Sequence, residues 1–350
     1  MRIAVIVDPN IPVPPIKYGG FERIADLLIT GFRKRGHQVT LIAHPQSKAN
    51  CELLSYGIPP HTGNLVRIRE VLQVWDKLTA RKKDFDVIQS FGRLIGLFPL
   101  YFSKIPKVQS YGRDISRFNV LIANMLAGKS LYFTACSDNC RKYGQLPGPW
   151  STIYNAVPME RYDFVPKVPD DAPLVFLGRV ERIKGTHTAI DVAFATGKKL
   201  IIAGNVIAKG HSHAYFKEEI EPRIDGKQII YAGEVDDAQK NKLLGQAAAF
   251  LMSIEWEEPF GIVMAEALAC GTPVIGFKRG AVPEVVEEGV NGFICLTKEE
   301  MITAVGKIKQ IDRSKCRQTV EEKFSDDVVV EQYLDLYQKM ISGSSTRIAK

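Results

Sequence analysis

The chain has 350 residues, 45% of them hydrophobic and 24% charged, more than one hydrophobic core ordinarily serves, so two domains are expected. No apolar run approaches the ~18 residues of a membrane-spanning helix. Net charge is +7, but residues 1–165 hold 22 Lys and Arg against 12 acids while 166–350 hold 24 against 27, so the basic excess lies in the first half.

That asymmetry suggests an anionic partner for the N-terminal half: a phosphorylated acceptor, an acidic glycan or a lipid surface. Ordinary solvated cations are the simpler alternative. The six cysteines, Cys51, Cys136, Cys140, Cys270, Cys295 and Cys316, show no CxxC spacing and are read as thiols.

The first apolar run, IAVIV (3–7), is too short for a signal h-region and closes on Asp8, so it reads as a buried strand in a cytoplasmic protein. A helix over 20–35, then VTLIA (39–43) and DVIQSF (86–91), continue an alternation that predicts βαβ units on a mostly parallel sheet. A loop-rich stretch (144–173) with six of the chain's 19 prolines marks the boundary. The alternation then restarts. LVFL (174–177), a helix over 185–196, KLIIAG (199–204), QIIYAG (228–233), a helix over 237–248 and AFLMS (249–253) come first. A helix over 260–270, PVIGF (273–277), GFICL (292–296) and a helix over 325–341 follow. The expected fold is α/β: two tandem Rossmann-like, doubly wound domains with a cleft between them. Residues 1–160 would form the acceptor domain and 161–325 the donor domain. Residues 326–350 would be a helix crossing back to the N-terminal domain and then a flexible tail.

Three segments carry chemistry. In EEPFGIVMAEALACGTPVIGF (257–277), Pro259 suits a helix's first turn, so a helix is predicted to begin near Phe260. Its first-turn amides, on Phe260, Gly261, Ile262 and Val263, would face an anion such as a diphosphate, with Gly261 allowing close approach. At 1.5 Å rise per residue Glu258 and Glu266 would lie on the order of 10 Å apart. That separation suits two carboxylates gripping two ends of a nucleotide sugar better than joint acid/base work. The simpler alternative is a helix cap at Glu258 and a solvated Glu266.

In LVFLGRVERIKGTHTAI (174–190), Arg179 and Lys184 follow a buried strand at its carboxyl end, where α/β sheets bind ligands. Arg179 can grip phosphate bidentately and Lys184 adds a point charge; both would stabilise a departing diphosphate. In YGGFERIAD (18–26), Gly19 and Gly20 would leave backbone bare for a ligand.

Other features weigh less. Asp84-Phe85-Asp86 spells D-x-D but is read as the polar lip of a strand, and His211-x-His213 lacks helical zinc spacing and is read as a solvated loop, so no metal site is expected. FGRLIGLFPLYF (91–102) reads as a core element rather than a membrane-facing helix, and ARKK (80–83) as a solvated helix end.

Taken in order, Gly19-Gly20, GRVERIKG (178–185), GEVDDAQK (233–240), the E-x7-E of EPFGIVMAE (258–266), GTPVIGF (271–277) and GAVPEVVEEGVNGFIC (280–295) resemble the retaining family 4 glycosyltransferases of the GT-B fold. The resemblance implies a donor site for a nucleoside-diphosphate sugar, UDP first and GDP or ADP behind it. In it Arg179 and Lys184 would clamp the diphosphate, Glu258 the sugar, Glu266 the ribose, and Gly20 would approach diphosphate and sugar. The loop Val235 to Lys240 would read the base through backbone. It further implies a retaining, metal-independent reaction, no cofactor beyond the donor, and a sugar, lipid-linked or small-molecule acceptor rather than nucleic acid. One departure stands out: no histidine lies between His61 and His187, where members often carry one near the donor sugar. Tyr111 stands at that place, and Tyr111, Arg113 or Asp114 would shape the acceptor side instead. A sugar phosphorylase, a nucleotide-sugar epimerase and a silent nucleotide-sugar-binding protein are the rival readings.

Overall fold

A computed structural model describes residues 1–16, 19–57, 63–113, 115–142 and 146–343. The chain divides into two compact units, Met1–Ala156 together with the segment from Asp326, and Val157–Ser325.

The first unit is a parallel sheet of seven strands: β1 (Arg2–Ile6), β2 (Gln38–Ala43), β3 (Glu52–Ser55), β4 (Val87–Ser90), β5 (Lys107–Tyr111), β6 (Leu131–Ala135) and β7 (Trp150–Thr152). Their order is β3-β2-β1-β4-β5-β6-β7. Ile3, Ala4 and Val5 are fully buried, as a parallel strand covered on both faces requires, which is why such strands read as unbroken apolar runs. Helix Gly20–Lys34 presents Ile24, Ala25, Leu28, Ile29 and Phe32 to the core, a stripe at helical spacing. Helix Asp326–Ile341 closes the unit with Val329, Val330, Tyr333 and Tyr337. Gly31 lets the two helices touch, since a Cβ there would collide with Val330. The phenols of this helix reach a polar seam in the core: Tyr337 donates to Gln89 at 2.8 Å, and Tyr333 meets Ser110 at 3.1 Å.

The second unit is a parallel sheet of six strands: β8 (Leu174–Leu177), β9 (Leu200–Ala203), β10 (Ile229–Gly233), β11 (Ala249–Met252), β12 (Val274–Phe277) and β13 (Gly292–Cys295). Their order is β10-β9-β8-β11-β12-β13. In both sheets the order reverses beside the first strand, between β1 and β4 and between β8 and β11. The loops after those strands flank a crevice, the place where open α/β sheets bind ligands.

Several boundaries differ from expectation. The helix expected over 260–270 spans Ile262–Ala269 because Gly261, with φ +72°, sits in the left-handed region as its N-cap and breaks the helical run. The rise estimate from Glu258 therefore does not hold for its first four residues. The helix expected over 237–248 ends at Gly245. His211 and His213 open a short helix, His211–Tyr215, rather than a loop. FGRLIGLFPLYF is core on one face only: Gly96, Leu97 and Leu100 are buried, while Ile95, Phe98 and Phe102 are exposed. Asp84 pairs with Arg81 at 2.8 Å and Asp86 with Arg2 at 2.7 Å. Tyr18 and the tail from residue 344 lie outside the described residues.

Candidate functional site

In the second unit, two loops meet after β8 and β11. Residues Arg182–Lys184 form one 3-10 turn and Gly185, with φ +72°, turns the chain into helix Thr186–Thr196. An added Cβ at Gly185 would run into the carbonyl oxygen of Ser253, so only glycine lets the loops close. Ser253 Oγ donates to the Gly185 carbonyl at 2.8 Å, and the Glu255 amide donates to Ile183 at 2.8 Å.

This stitching brings Lys184 Nζ onto Glu258 Oε2 as an ion pair, with side chains 17% and 14% exposed. Trp256 completes the cluster: its indole N–H donates to the same Glu258 oxygen at 3.0 Å, and Lys184 Nζ lies 4.8 Å from its ring centroid. The backbone of Glu258 is pinned as well, its carbonyl accepting from the Ala281 amide at 3.0 Å. Arg179, at the end of β8, is braced by Glu181 at 3.0 Å. Glu258 is thus no helix cap; it stands in the loop before Gly261, sharing one oxygen between a cation and an indole.

Glu266 is likewise not a solvated residue. It is 4% exposed, and its Oε1 accepts from Tyr162 Oη at 2.6 Å and Lys240 Nζ at 2.6 Å. Burial, and then the adjacent carboxylate, push the Tyr162 phenol well above its ordinary range, so it stays a donor. Lys240 was expected in a base-reading loop. It lies inside helix Asp237–Gly245, its amide bonded to the Asp236 carbonyl at 2.8 Å and its side chain buried on Glu266. Asp236 and Gln239 form a reciprocal capping box that draws Lys240 into the helix. Val235 precedes it in the loop after β10, half-buried.

Of the four amides expected at the helix start, Ile262 and Val263 form the first turn and Gly261 caps it. Phe260 does not belong to it: its ring is 1% exposed and packs against Phe324, centroids 5.7 Å apart. Val263 and Ile262 keep the N-terminal position that favours an anion.

The first unit holds a second constellation at its own reversal point. A cavity of about 140 Å³ is lined by Phe21, Phe91, Arg93, Gln109, Tyr111, Arg113 and neighbours. Asp8, following β1, accepts from the Arg93 amide at 3.1 Å and faces Arg113 at 3.4 Å. Gln109 is 1% exposed; its Nε2 donates to Gly92 at 2.9 Å, which leaves its buried Oε1 without a partner. Tyr111 stacks among Phe133 and Trp150 with its phenol raised by burial, so much of its ring serves the core. Asp114 lies outside the described residues. Gly20 opens the first helix with free space where a Cβ would stand, but Gly19 is hemmed in by Pro15 and Glu22 of its own chain, which corrects its expected exposure to a ligand. Burial raises the Glu22 carboxyl.

Trp256, Tyr162, Glu181, Asp8, Arg93 and Gln109 did not emerge from the sequence. Trp256 alone offered a signal, one of three tryptophans and two residues before Glu258.

Residues 159–323 match the family Glycosyl transferases group 1. The chain is 26% identical over 339 residues to the lipopolysaccharide core biosynthesis glycosyltransferase LpsE of Rhizobium meliloti, covering 91% of this chain and 96% of that one. It is 29% identical to the N-acetyl-alpha-D-glucosaminyl L-malate synthase of Bacillus anthracis over 122 residues, spanning only 31% of that protein's length. Among solved structures, HepE of Anabaena, in complex with UDP and glucose, superposes with a TM-score of 0.75 at 20% identity over 97% of this chain and 100% of that one. The two Rossmann-like units are of the GT-B type.

Proposed function

We propose that this glycosyltransferase, whose residues 159–323 match glycosyl transferases group 1, moves a sugar from a nucleoside-diphosphate donor, UDP first, to a hydroxyl acceptor with retention and without a metal. The observation that carries this reading is the Lys184–Glu258–Trp256 cluster at the reversal point of the second sheet. Cation and carboxylate meet there, and Arg179 precedes Lys184 in the same loop after β8, as a ligand with a diphosphate at one end and hydroxyls at the other requires. HepE, of the same fold, was solved with UDP and glucose, which favours UDP.

In this reading Arg179 and Lys184 hold the diphosphate, aided by the amides of Gly261, Ile262 and Val263. Charge grows on the diphosphate as the glycosidic bond breaks, and fixed cations stabilise that state more than the ground state. Two such cations do the work often given to a divalent ion. Glu258 accepts from sugar hydroxyls, and Glu266, held rigid by Lys240 and Tyr162, accepts from the ribose diol. Val235 lies beside the base. The acceptor hydroxyl attacks from the face the leaving group vacates, and its proton passes to the departing phosphate oxygen. The cavity of the first unit takes the acceptor: Arg113 and Arg93 suit an anionic group, and Gln109 Oε1 awaits a hydroxyl donor. With no histidine there, Tyr111 and Arg113 shape this side.

Turnover of UDP-, GDP- and ADP-sugars with acceptor panels tests the reading. Arg179→Ala and Glu266→Ala are each expected to lose at least about tenfold in kcat/KM, ~1.4 kcal/mol. Unchanged kinetics in both variants would remove this site from the reaction. Arg113→Ala should raise the acceptor KM while leaving donor binding intact.

A further inference from the structure

Helix Arg117–Ala127 of the first unit is amphipathic in the unusual sense. Val120, Ala123 and Ala127 face the core, yet the outer face is also apolar. Phe118, Leu121, Ile122, Met125 and Leu126 fall at i, i+3, i+4, i+7 and i+8, one stripe of a helix, and are 68%, 42%, 39%, 72% and 38% exposed. The helix packs against the 3-10 segment Leu94–Leu100, whose outward Ile95 and Phe98, with Phe102 just beyond, are also exposed. Water-facing apolar stripes of this kind mark a surface with a partner.

Charge narrows the choice of partner. Residues 87–137 carry six Lys and Arg, namely Arg93, Lys104, Lys107, Arg113, Arg117 and Lys129, against one acid, Asp114. Arg117 and Lys129 stand at the two ends of the stripe, and both are exposed, as is Lys104. The other three do not frame the stripe: Lys107 is buried, bonded to the Ser103 and Ile105 carbonyls at 2.9 and 2.8 Å, while Arg93 pairs with Glu70 and Arg113 with Asp8, each at 3.4 Å. Apolar side chains framed by cations fit an anionic bilayer, where the stripe enters the acyl boundary and the cations stay among headgroups. A second copy of the same face fits poorly, because a two-fold contact would set like charges against each other.

We propose that the outer face of helix Arg117–Ala127, with Phe102 beside it, docks this protein onto an anionic lipid surface. None of these side chains lines the cavity or the donor cluster. The proposal therefore stands apart from the donor reading, and its failure would leave that reading untouched.

The test is co-sedimentation of the full chain with vesicles of phosphatidylcholine alone and of phosphatidylcholine mixed with phosphatidylglycerol, at low and high salt. The chain is expected to pellet with the anionic vesicles and to be released by salt. The double variant Phe118→Ser/Met125→Ser should lower the bound fraction's partition at least about tenfold, with an unchanged melting temperature and unchanged nucleotide-induced stabilisation. The milder variant Arg117→Gln/Lys129→Gln guards against a folding artefact and should weaken anionic binding while leaving the residual affinity for neutral vesicles alone. No pelleting with anionic vesicles, or equal pelleting of wild type and Phe118→Ser/Met125→Ser, would overturn the proposal. So would a dimer in sedimentation velocity that the double variant dissolves, since a second copy would then be the occupant.

Discussion

Replacing Lys184 by alanine is expected to cost more than one phosphate contact. Lys184 and Glu258 are 17% and 14% exposed, so the pair is largely withdrawn from water. Removing one member of a fully buried pair costs roughly 3–5 kcal/mol, and partial exposure brings this toward about 2 kcal/mol. The remaining carboxylate would then face the incoming diphosphate; two unit charges 4 Å apart at a surface-like dielectric repel by up to about 4 kcal/mol before screening. Lys184→Ala should therefore lower kcat/KM by on the order of a hundredfold or more, and Glu258→Gln alone by about tenfold. The informative variant is Lys184→Ala/Glu258→Gln. Removing the orphaned charge should restore about tenfold over Lys184→Ala, so the double variant is better than one of its parents. The assay is initial-rate nucleoside diphosphate release at low ionic strength, with all four proteins checked for equal folding. Effects that add on a logarithmic scale to within about 0.5 kcal/mol would show that the two residues act independently and refute the reasoning.

Glu266→Ala takes the acceptor from the buried Tyr162 phenol and leaves buried Lys240 only the longer ion pair with Asp237 at 3.5 Å, so it should destabilise the second unit by about 3 kcal/mol, a fall in its Tm of roughly 6–12 °C. Glu266→Gln keeps an acceptor for Tyr162 and should cost about half as much; equal melting of wild type and both variants would contradict the packing described. Alkaline pH should weaken the same unit, because burial pushes the Cys270 and Cys316 thiols up to about 12. Their folded values exceed the unfolded value near 8.5, so their contribution is complete below that pH and is lost as pH rises toward 12, by up to about 1.4 kcal/mol per unit for each thiol. Urea melts at pH 8 and pH 10 should show the drop, and Cys270→Ala/Cys316→Ala should reduce it, leaving the share of Cys295, whose thiol burial likewise pushes up to about 12.

Much of the fold was legible because parallel strands buried on both faces leave continuous apolar runs such as IAVIV and LVFL. The short or half-exposed strands, β3 with the sequence ELLS and β7 with WST, carry no such signal. They are defined by their neighbours. The start of helix Ile262–Ala269 was misplaced because Pro259 is a good first-turn residue, and local propensity does not reveal that the following glycine adopts a left-handed backbone. At the site, Lys184 and Glu258 were identifiable separately, but not their ion pair, which depends on Gly185 closing against Ser253 across 68 residues of sequence. The helix holding Lys240 was legible in the sequence, whereas the resemblance implied a base-reading loop up to Lys240; the capping box of Asp236 and Gln239 decides for the helix. Gln109 was invisible: a glutamine within an apolar strand becomes notable only when the sheet buries it beside a cavity with one oxygen unmatched.

The central claim is that the Arg179–Lys184–Glu258 cluster of the second unit binds a nucleoside diphosphate, and thermal denaturation with and without UDP tests it most directly. At a UDP concentration about a hundred times Kd, wild type should gain about 2.7 kcal/mol, a rise of roughly 5–10 °C, and Arg179→Ala should lose most of that rise at the same concentration. A wild-type melting temperature indifferent to UDP, GDP and ADP, or an Arg179→Ala variant stabilised as fully as wild type, would contradict the account.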